Sequence, residues 1–114
     1  MFNRSFYSHP TYGGSPYSPK MNCAWLISTK PGSVIQLSFK EFEVEKERHC
    51  GYDYLDIHNG NSSSSPRLGK LCGQVLPRQF VSTGNQLYLR FVTDDTTQKK
   101  GFIAEYKRKK KFSN

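Results

Sequence analysis

From Ser33 to Phe42 the chain alternates cleanly, with Ile35, Leu37 and Phe39 on one side and Gln36, Ser38 and Lys40 on the other. A period of two puts one face of an extended segment against a core and the other in water. The same pattern returns from Gln86 to Thr93, with Leu87, Leu89 and Phe91 inward, and from Gly101 to Arg108, with Phe102, Ala104 and Tyr106 on one face. Ala24 to Ser28, Tyr54 to His58, Leu68 to Leu71 and Gln79 to Ser82 read as shorter strands. Lys30-Pro31-Gly32 marks a turn, because proline presets φ and glycine accepts a positive one. Asn59-Gly60 opens a polar loop that runs to Pro66. Residues 2–20, rich in Tyr, Ser, Pro and Gly, read as an extended, turn-rich leading segment. No stretch carries the pattern of a helix of about ten residues. The expected fold is all-β, an antiparallel β-sandwich.

A chain of 114 residues makes one domain. It has no apolar run long enough to span a membrane and no leading apolar stretch of the kind a signal peptide needs. Together with the cysteines this reads as a piece of a longer secreted protein. The cysteines number three: Cys23, Cys50 and Cys72. An odd count in a secreted domain flags a missing partner. A Cys50–Cys72 bond would close a loop worth about 3 kcal/mol, and the alternative is three buried thiols. Asn3-Arg4-Ser5 and Asn61-Ser62-Ser63 fit the N-glycosylation pattern at Asn3 and Asn61. The formal charge of +8 is uneven, since Lys99 to Asn114 alone hold seven Lys/Arg and one acid.

The stretch Cys50 to Gly60, C-G-Y-D-Y-L-D-I-H-N-G, combines a cysteine, a carboxylate at a strand mouth, an alternating apolar run (Tyr54, Ile57) and a turn pair. Asp53 opens that strand, Glu45 follows the long strand, and Asp94 follows the penultimate one. If those strand ends share one edge of a sandwich, the three carboxylates converge, repel one another and call for a cation. Oxygen ligands in loops, completed by backbone carbonyls and water, are what Ca2+ takes. The competing reading is three solvated loop acids. The run Lys107-Arg108-Lys109-Lys110-Lys111 is a second candidate surface, for a sulfated glycosaminoglycan, or else a solvated linker. It also passes as a nuclear-localisation pattern, which suits a disulfide domain poorly. His9, His49 and His58 show no metal-ligand spacing with the cysteines, and no nucleophile, zinc-protease or P-loop pattern is present.

Several motifs taken together resemble the CUB domain over nearly the whole chain. They are Cys23-Ala24-Trp25, Phe39-x-x-Phe42-x-Val44-Glu45, Cys50-Gly51-Tyr52-Asp53-Tyr54-Leu55, Asn59-Gly60 and Leu68-Gly69-Lys70-Leu71-Cys72-Gly73. Ser82-Thr83-Gly84-Asn85 with Leu87, Phe91-x-x-Asp94 and Gly101-Phe102-x-x-x-Tyr106 continue the match, and Ser8-x-Pro10-x-Tyr12 with Pro16-Tyr17 extends it upstream. The resemblance implies a jelly-roll-like sandwich over residues 1–106, lacking its first strand, followed by a basic tail or linker at 107–114. It implies a Cys50–Cys72 disulfide, and leaves Cys23 unpaired with its partner upstream.

Glu45, Asp53 and Asp94 match the acidic triad of calcium-binding members. Thr96 and Thr97 fall where backbone carbonyls help hold Ca2+, and Tyr17 where a hydroxyl supports the carboxylates. Family members often carry Ser or Asn after the third acid, where Asp95-Thr96-Thr97 stands here. His49, Tyr52 and Tyr54 would line the rim. The implied function is non-catalytic, extracellular recognition of a protein ligand presenting Lys or Arg, with no nucleic acid and no membrane span. Two alternatives are glycosaminoglycan binding through Lys107–Lys111, and service as an accessory domain of a larger secreted protease or multi-CUB receptor.

Overall fold

The computed structural model describes residues 4–111, and the expected glycosylation site at Asn3 lies outside them. Eight strands run in chain order: β1 (Arg4–Tyr7), β2 (Asn22–Ser28), β3 (Ser33–Glu43), β4 (Tyr54–His58), β5 (Arg67–Leu71), β6 (Phe80–Val81), β7 (Gln86–Val92) and β8 (Gly101–Lys110). They form two four-stranded antiparallel sheets, ordered β1-β8-β3-β6 and β2-β7-β4-β5. The described residues contain no helix, and hence none able to cross a membrane. The expected all-β sandwich is what forms.

The core lies between the sheets and follows the period-two pattern. Ile35 and Leu37 of β3, Leu55 and Ile57 of β4, Leu87, Leu89 and Phe91 of β7, and Phe102 and Ala104 of β8 are wholly buried. Burying each large side chain contributes about 1.5–3 kcal/mol before chain entropy is counted. Phe102 is the hub, with ring centroids within 5.2–6.4 Å of Phe6, Trp25, Phe39, Phe42 and Phe91. Gly101 at the start of β8 has φ +99°, and a Cβ there would collide with the Ser8 hydroxyl. That hydroxyl accepts the Phe102 N–H at 3.0 Å, so only glycine lets β8 begin against it.

Three local expectations are corrected. The alternation of β3 does not run unbroken to Phe42. A bulge between Phe39 and Glu41 slips the phase by one residue, so Phe42 and Val44 rejoin Ile35, Leu37 and Phe39 on the core side. In β4 the inward residues are Leu55 and Ile57, not Tyr54, whose ring lies under the Lys70 ammonium at 4.4 Å. The leading segment, extended and turn-rich as expected, opens on β1, which pairs with β8, Arg4 opposite Tyr106 through Tyr7 opposite Ile103. Finally, the basic run is no free tail. β8 continues past residue 106 to Lys110, pairing Lys107 with Gln36 and Lys110 with Ser33.

Candidate metal centre

Antiparallel pairing sends the end of β3, the start of β4 and the end of β7 to the same edge of the sandwich. Glu43 pairs with Gly101, Val44 bridges Gly73, and Tyr54 pairs with Val92. Glu45, Asp53 and Asp94 lie one or two residues beyond those pairs. Asp53 shares the inward phase of Leu55 and Ile57, which is why it is a fully buried carboxylate. Glu45 and Asp94 are half-buried. One oxygen from each of the three lies within 4.8 Å of the others.

The buried phenol of Tyr17 ties this cluster together. Its hydroxyl donates to Asp53 Oδ2 at 2.7 Å and accepts the Glu45 N–H at 3.0 Å. Asp53 Oδ1 accepts the Asp94 N–H at 2.8 Å. Asp53 is therefore satisfied on both oxygens, whereas Glu45 Oε1 is buried with no hydrogen-bond partner. An anionic oxygen left in that condition is costly. Burial raises the pKa of Glu45, reinforced by the charges of Asp53 and Asp94 and partly offset by a hydrogen bond from Thr97. Burial also raises that of Asp53, where the Asp94 charge adds to the effect and the Asp94 N–H and Tyr17 hydroxyl oppose it. Tyr17 is pushed upward by burial and by its bond to Asp53, so the phenol stays a donor.

The surrounding loops are strained and pinned. Among the described non-glycine residues, positive φ occurs at Lys20, Cys50 and Thr97, and all three lie in the segments around the carboxylates. Each costs roughly 1–2 kcal/mol. The Lys20 N–H donates to the Asp94 carbonyl at 2.8 Å, and the Thr96 N–H donates to Asp94 Oδ1 at 3.2 Å. Cys50 and Cys72 are joined in a disulfide. Glu47, which the sequence reading overlooked, organises the loop ahead of Asp53. Its Oε1 accepts the N–H groups of Gly51 at 2.7 Å and His49 at 3.0 Å, and these bonds lower its pKa. A carboxylate followed by a glycine four residues later was the only sequence trace of that turn.

Of the expected rim, His49 and Tyr52 are exposed in the loop ahead of Asp53, while Tyr54 belongs to the outer face of the second sheet under Lys70. Asn61 is exposed in the loop between β4 and β5, and Cys23 is an unpaired, half-buried thiol on β2. Lys107 to Lys111 stand at the opposite end of the molecule, where β8 meets the start of β3.

The CUB domain family model matches residues 2–106. Human "Tolloid-like protein 2" is 44% identical over 103 residues, 90% of this chain and 10% of that protein. The chain thus spans about a tenth of the length of the curated relatives it matches. The full extracellular region of zebrafish Gpr126/Adgrg6 superposes with a TM-score of 0.82 at 34% identity, covering 95% of this chain and 14% of that one. The MASP-1 CUB2 domain bound to Ca2+ superposes with a TM-score of 0.79 at 25% identity, covering 91% and 90% of the two chains. Fold, disulfide and sequence agree, and the chain belongs to the CUB domain family of extracellular, non-catalytic protein-interaction modules.

Proposed function

We propose that this module recognises a protein partner through a Ca2+-organised acidic site. The observation that carries the reading is the buried, unpartnered Glu45 Oε1 beside two further carboxylates within 4.8 Å. A hard cation with oxygen ligands answers both the missing partner and the mutual repulsion. Glu45, Asp53 and Asp94 would supply carboxylate oxygens, Thr96 and Thr97 backbone carbonyls, and Tyr17 would hold Asp53 in place. That a similar CUB domain of MASP-1 is bound to Ca2+ supports the assignment.

Three carboxylates and one divalent cation leave a net charge of about −1. The outward carboxylate oxygens then accept a Lys ammonium, or an Arg, from the partner as a charge-assisted hydrogen bond. His49 and Tyr52, exposed in the loop ahead of Asp53, would border that contact. Since the chain spans a tenth of its relatives' length, we read it as one module of a larger extracellular protein, such as the accessory part of a secreted protease or a multi-CUB receptor.

Thermal unfolding in millimolar Ca2+ and in EDTA tests the site. A ligand that binds only the folded state stabilises it by about 2.7 kcal/mol at a hundredfold excess over Kd. The melting temperature is expected to rise with Ca2+ in the native chain and to stay put in Asp94→Ala. No rise in the native chain sinks the calcium reading.

A further inference from the structure

The end of the sandwich opposite the carboxylates is a cleft of about 350 Å³ between the two sheets. Its walls come from β1, the turn joining β2 to β3, and the last residues of β8. Four of its lining residues are basic, Arg4, Lys30, Lys107 and Arg108, and Lys107 turns its side chain to the opposite face of β8 from Arg108. The others are Ser28, Thr29 and Tyr106, and no acid lines it. The guanidinium groups of Arg4 and Arg108, the Lys30 ammonium and the Ser28 and Tyr106 hydroxyls form a donor set suited to an anion with several oxygens, while the Thr29 hydroxyl donates to the Asn85 carbonyl at 3.2 Å.

Strand register puts these groups there. β8 pairs Tyr106 with Arg4 on one side and Arg108 with Ile35 on the other. Arg108 therefore keeps the inward phase of Phe102, Ala104 and Tyr106, and reaches the mouth between the sheets, where its Nη1 stands 3.5 Å from the Ser33 hydroxyl. Lys30 is held by its turn: Gly32 takes φ +87° and the Ser33 N–H donates to the Lys30 carbonyl at 3.2 Å. Thr29 is clamped by Asn85, whose carbonyl accepts the Thr29 N–H at 2.9 Å and whose Nδ2 donates to the Thr29 carbonyl at 2.7 Å. A wall already ordered loses little entropy when a ligand arrives.

The charge continues beyond the cleft as a row. Along β8, alternate side chains lie roughly 6.6 Å apart on each face, so Arg108 with Lys110 continue the cleft's face while Lys107 with Lys109 lie on the other. A row leading out of a pocket suits a linear polyanion better than a lone ion. Only one aromatic residue, Tyr106, lines the cleft, whereas single-stranded nucleic acid is bound on successive stacking rings. The module is extracellular, where the common linear polyanions are sulfated polysaccharides.

We propose that this cleft seats one sulfate group of a sulfated polysaccharide whose chain runs on along Lys107 to Lys111. Arg4, Ser28, Thr29 and Lys30 thereby join the basic run in one site. This surface stands apart from the carboxylates and does not need calcium.

Titration of the 114-residue chain with a heparin-derived octasaccharide in EDTA, at roughly 50 and 200 mM NaCl, tests the proposal. Lys30→Gln combined with Arg108→Gln should lose at least about tenfold in affinity and lower the salt slope by about two, one for each lost contact. A charge-matched control, Lys40→Gln with Lys100→Gln, removes cations that pair with Glu105 and Glu41 away from the cleft. It should lose less than about threefold, since only long-range attraction is touched. Amide spectra of the native chain give a second readout, in which octasaccharide should shift Thr29, Lys30 and Arg108. Equal loss in the two double variants, or shifts confined to other residues, overturns the cleft. Equal affinity for the desulfated octasaccharide, for polyglutamate or for an oligo-dT strand overturns the sulfated-polysaccharide assignment.

Discussion

The two ends of this sandwich carry opposite charge, and they are built in opposite ways. The acidic end collects three carboxylates from positions 45, 53 and 94, buries one of them, and holds them with strained backbone at Lys20, Cys50 and Thr97. The basic end takes most of its charge from five consecutive residues on regular strand and its approaches, and leaves their heads largely in water. Like charges 4 Å apart repel by about 1 kcal/mol in water but about 4 kcal/mol near a protein surface with effective dielectric 20. Crowding is therefore tolerable at the basic end without a ligand and costly at the acidic end. The lesson is that the acidic end is tuned for one compact cation, whereas the basic end is an extended surface that exchanges small ions for a long anion.

The disulfide should separate the two ends most sharply. Cys50→Ala with Cys72→Ala opens the loop behind Asp53 and should lower stability by about 3 kcal/mol, read by urea unfolding in EDTA. The calcium-induced rise in melting temperature should shrink as well, while octasaccharide affinity stays unchanged. Equal weakening of both would mean that the ends are mechanically coupled.

Tyr17→Phe is a smaller break. It keeps the ring packed edge-on to Phe91, at a centroid distance of 5.1 Å, but strips the donor from Asp53 Oδ2 and the acceptor from the Glu45 N–H. A loss of about 1–3 kcal/mol follows from leaving those buried groups unmatched. Calcium binding by calorimetry should weaken alongside, and an unchanged affinity would deny Tyr17 its supporting role.

The mildest contrast is in pH. Glu45 and Asp53 have folded-state pKa values raised above their ordinary 4.5 and 3.8. The folded protein then binds more protons than the unfolded chain between the ordinary and raised values. Without metal, their contribution to stability is fully present below pH ~4 and is lost as pH rises through the raised values. Calcium needs the deprotonated carboxylates, so its stabilisation should grow over that same rise. Melting curves from pH 4 to 7 in EDTA, compared with Glu45→Gln combined with Asp53→Asn, check the sign: the variant should lose the decline.

Local pattern revealed much of the fold. The alternations at Ile35-Leu37-Phe39 and Leu87-Leu89-Phe91 and the Pro31-Gly32 turn stand where the residues put them, because side-chain period and backbone φ preferences act over a few neighbours. The bulge before Phe42 escaped a period-two reading because its spacing is explained only once β8 lies alongside. The phase of β4 was ambiguous for a similar reason. Tyr54, Leu55 and Ile57 are all apolar enough to face a core, and contact with β7 selects Leu55 and Ile57. The basic run read as a tail because Lys is depleted in strands. Pairing with β3 overrides that preference, and the Lys111 N–H reaches the Gly32 carbonyl at 3.0 Å.

The candidate sites divide the same way. The identities of the three carboxylates, Tyr17 and the five consecutive cations are properties of the chain, and the family motifs were enough to single them out. Their depth and company are not. That Asp53 is sealed while Glu45 keeps an oxygen without a partner, that Glu47 folds the loop between them, and that Arg4 and Lys30 join Arg108 around one hollow are consequences of packing two sheets. Residue type and spacing act along the chain. Burial, electrostatic repulsion and convergence act through space, between residues as far apart as Arg4 and Arg108, and no local pattern encodes them.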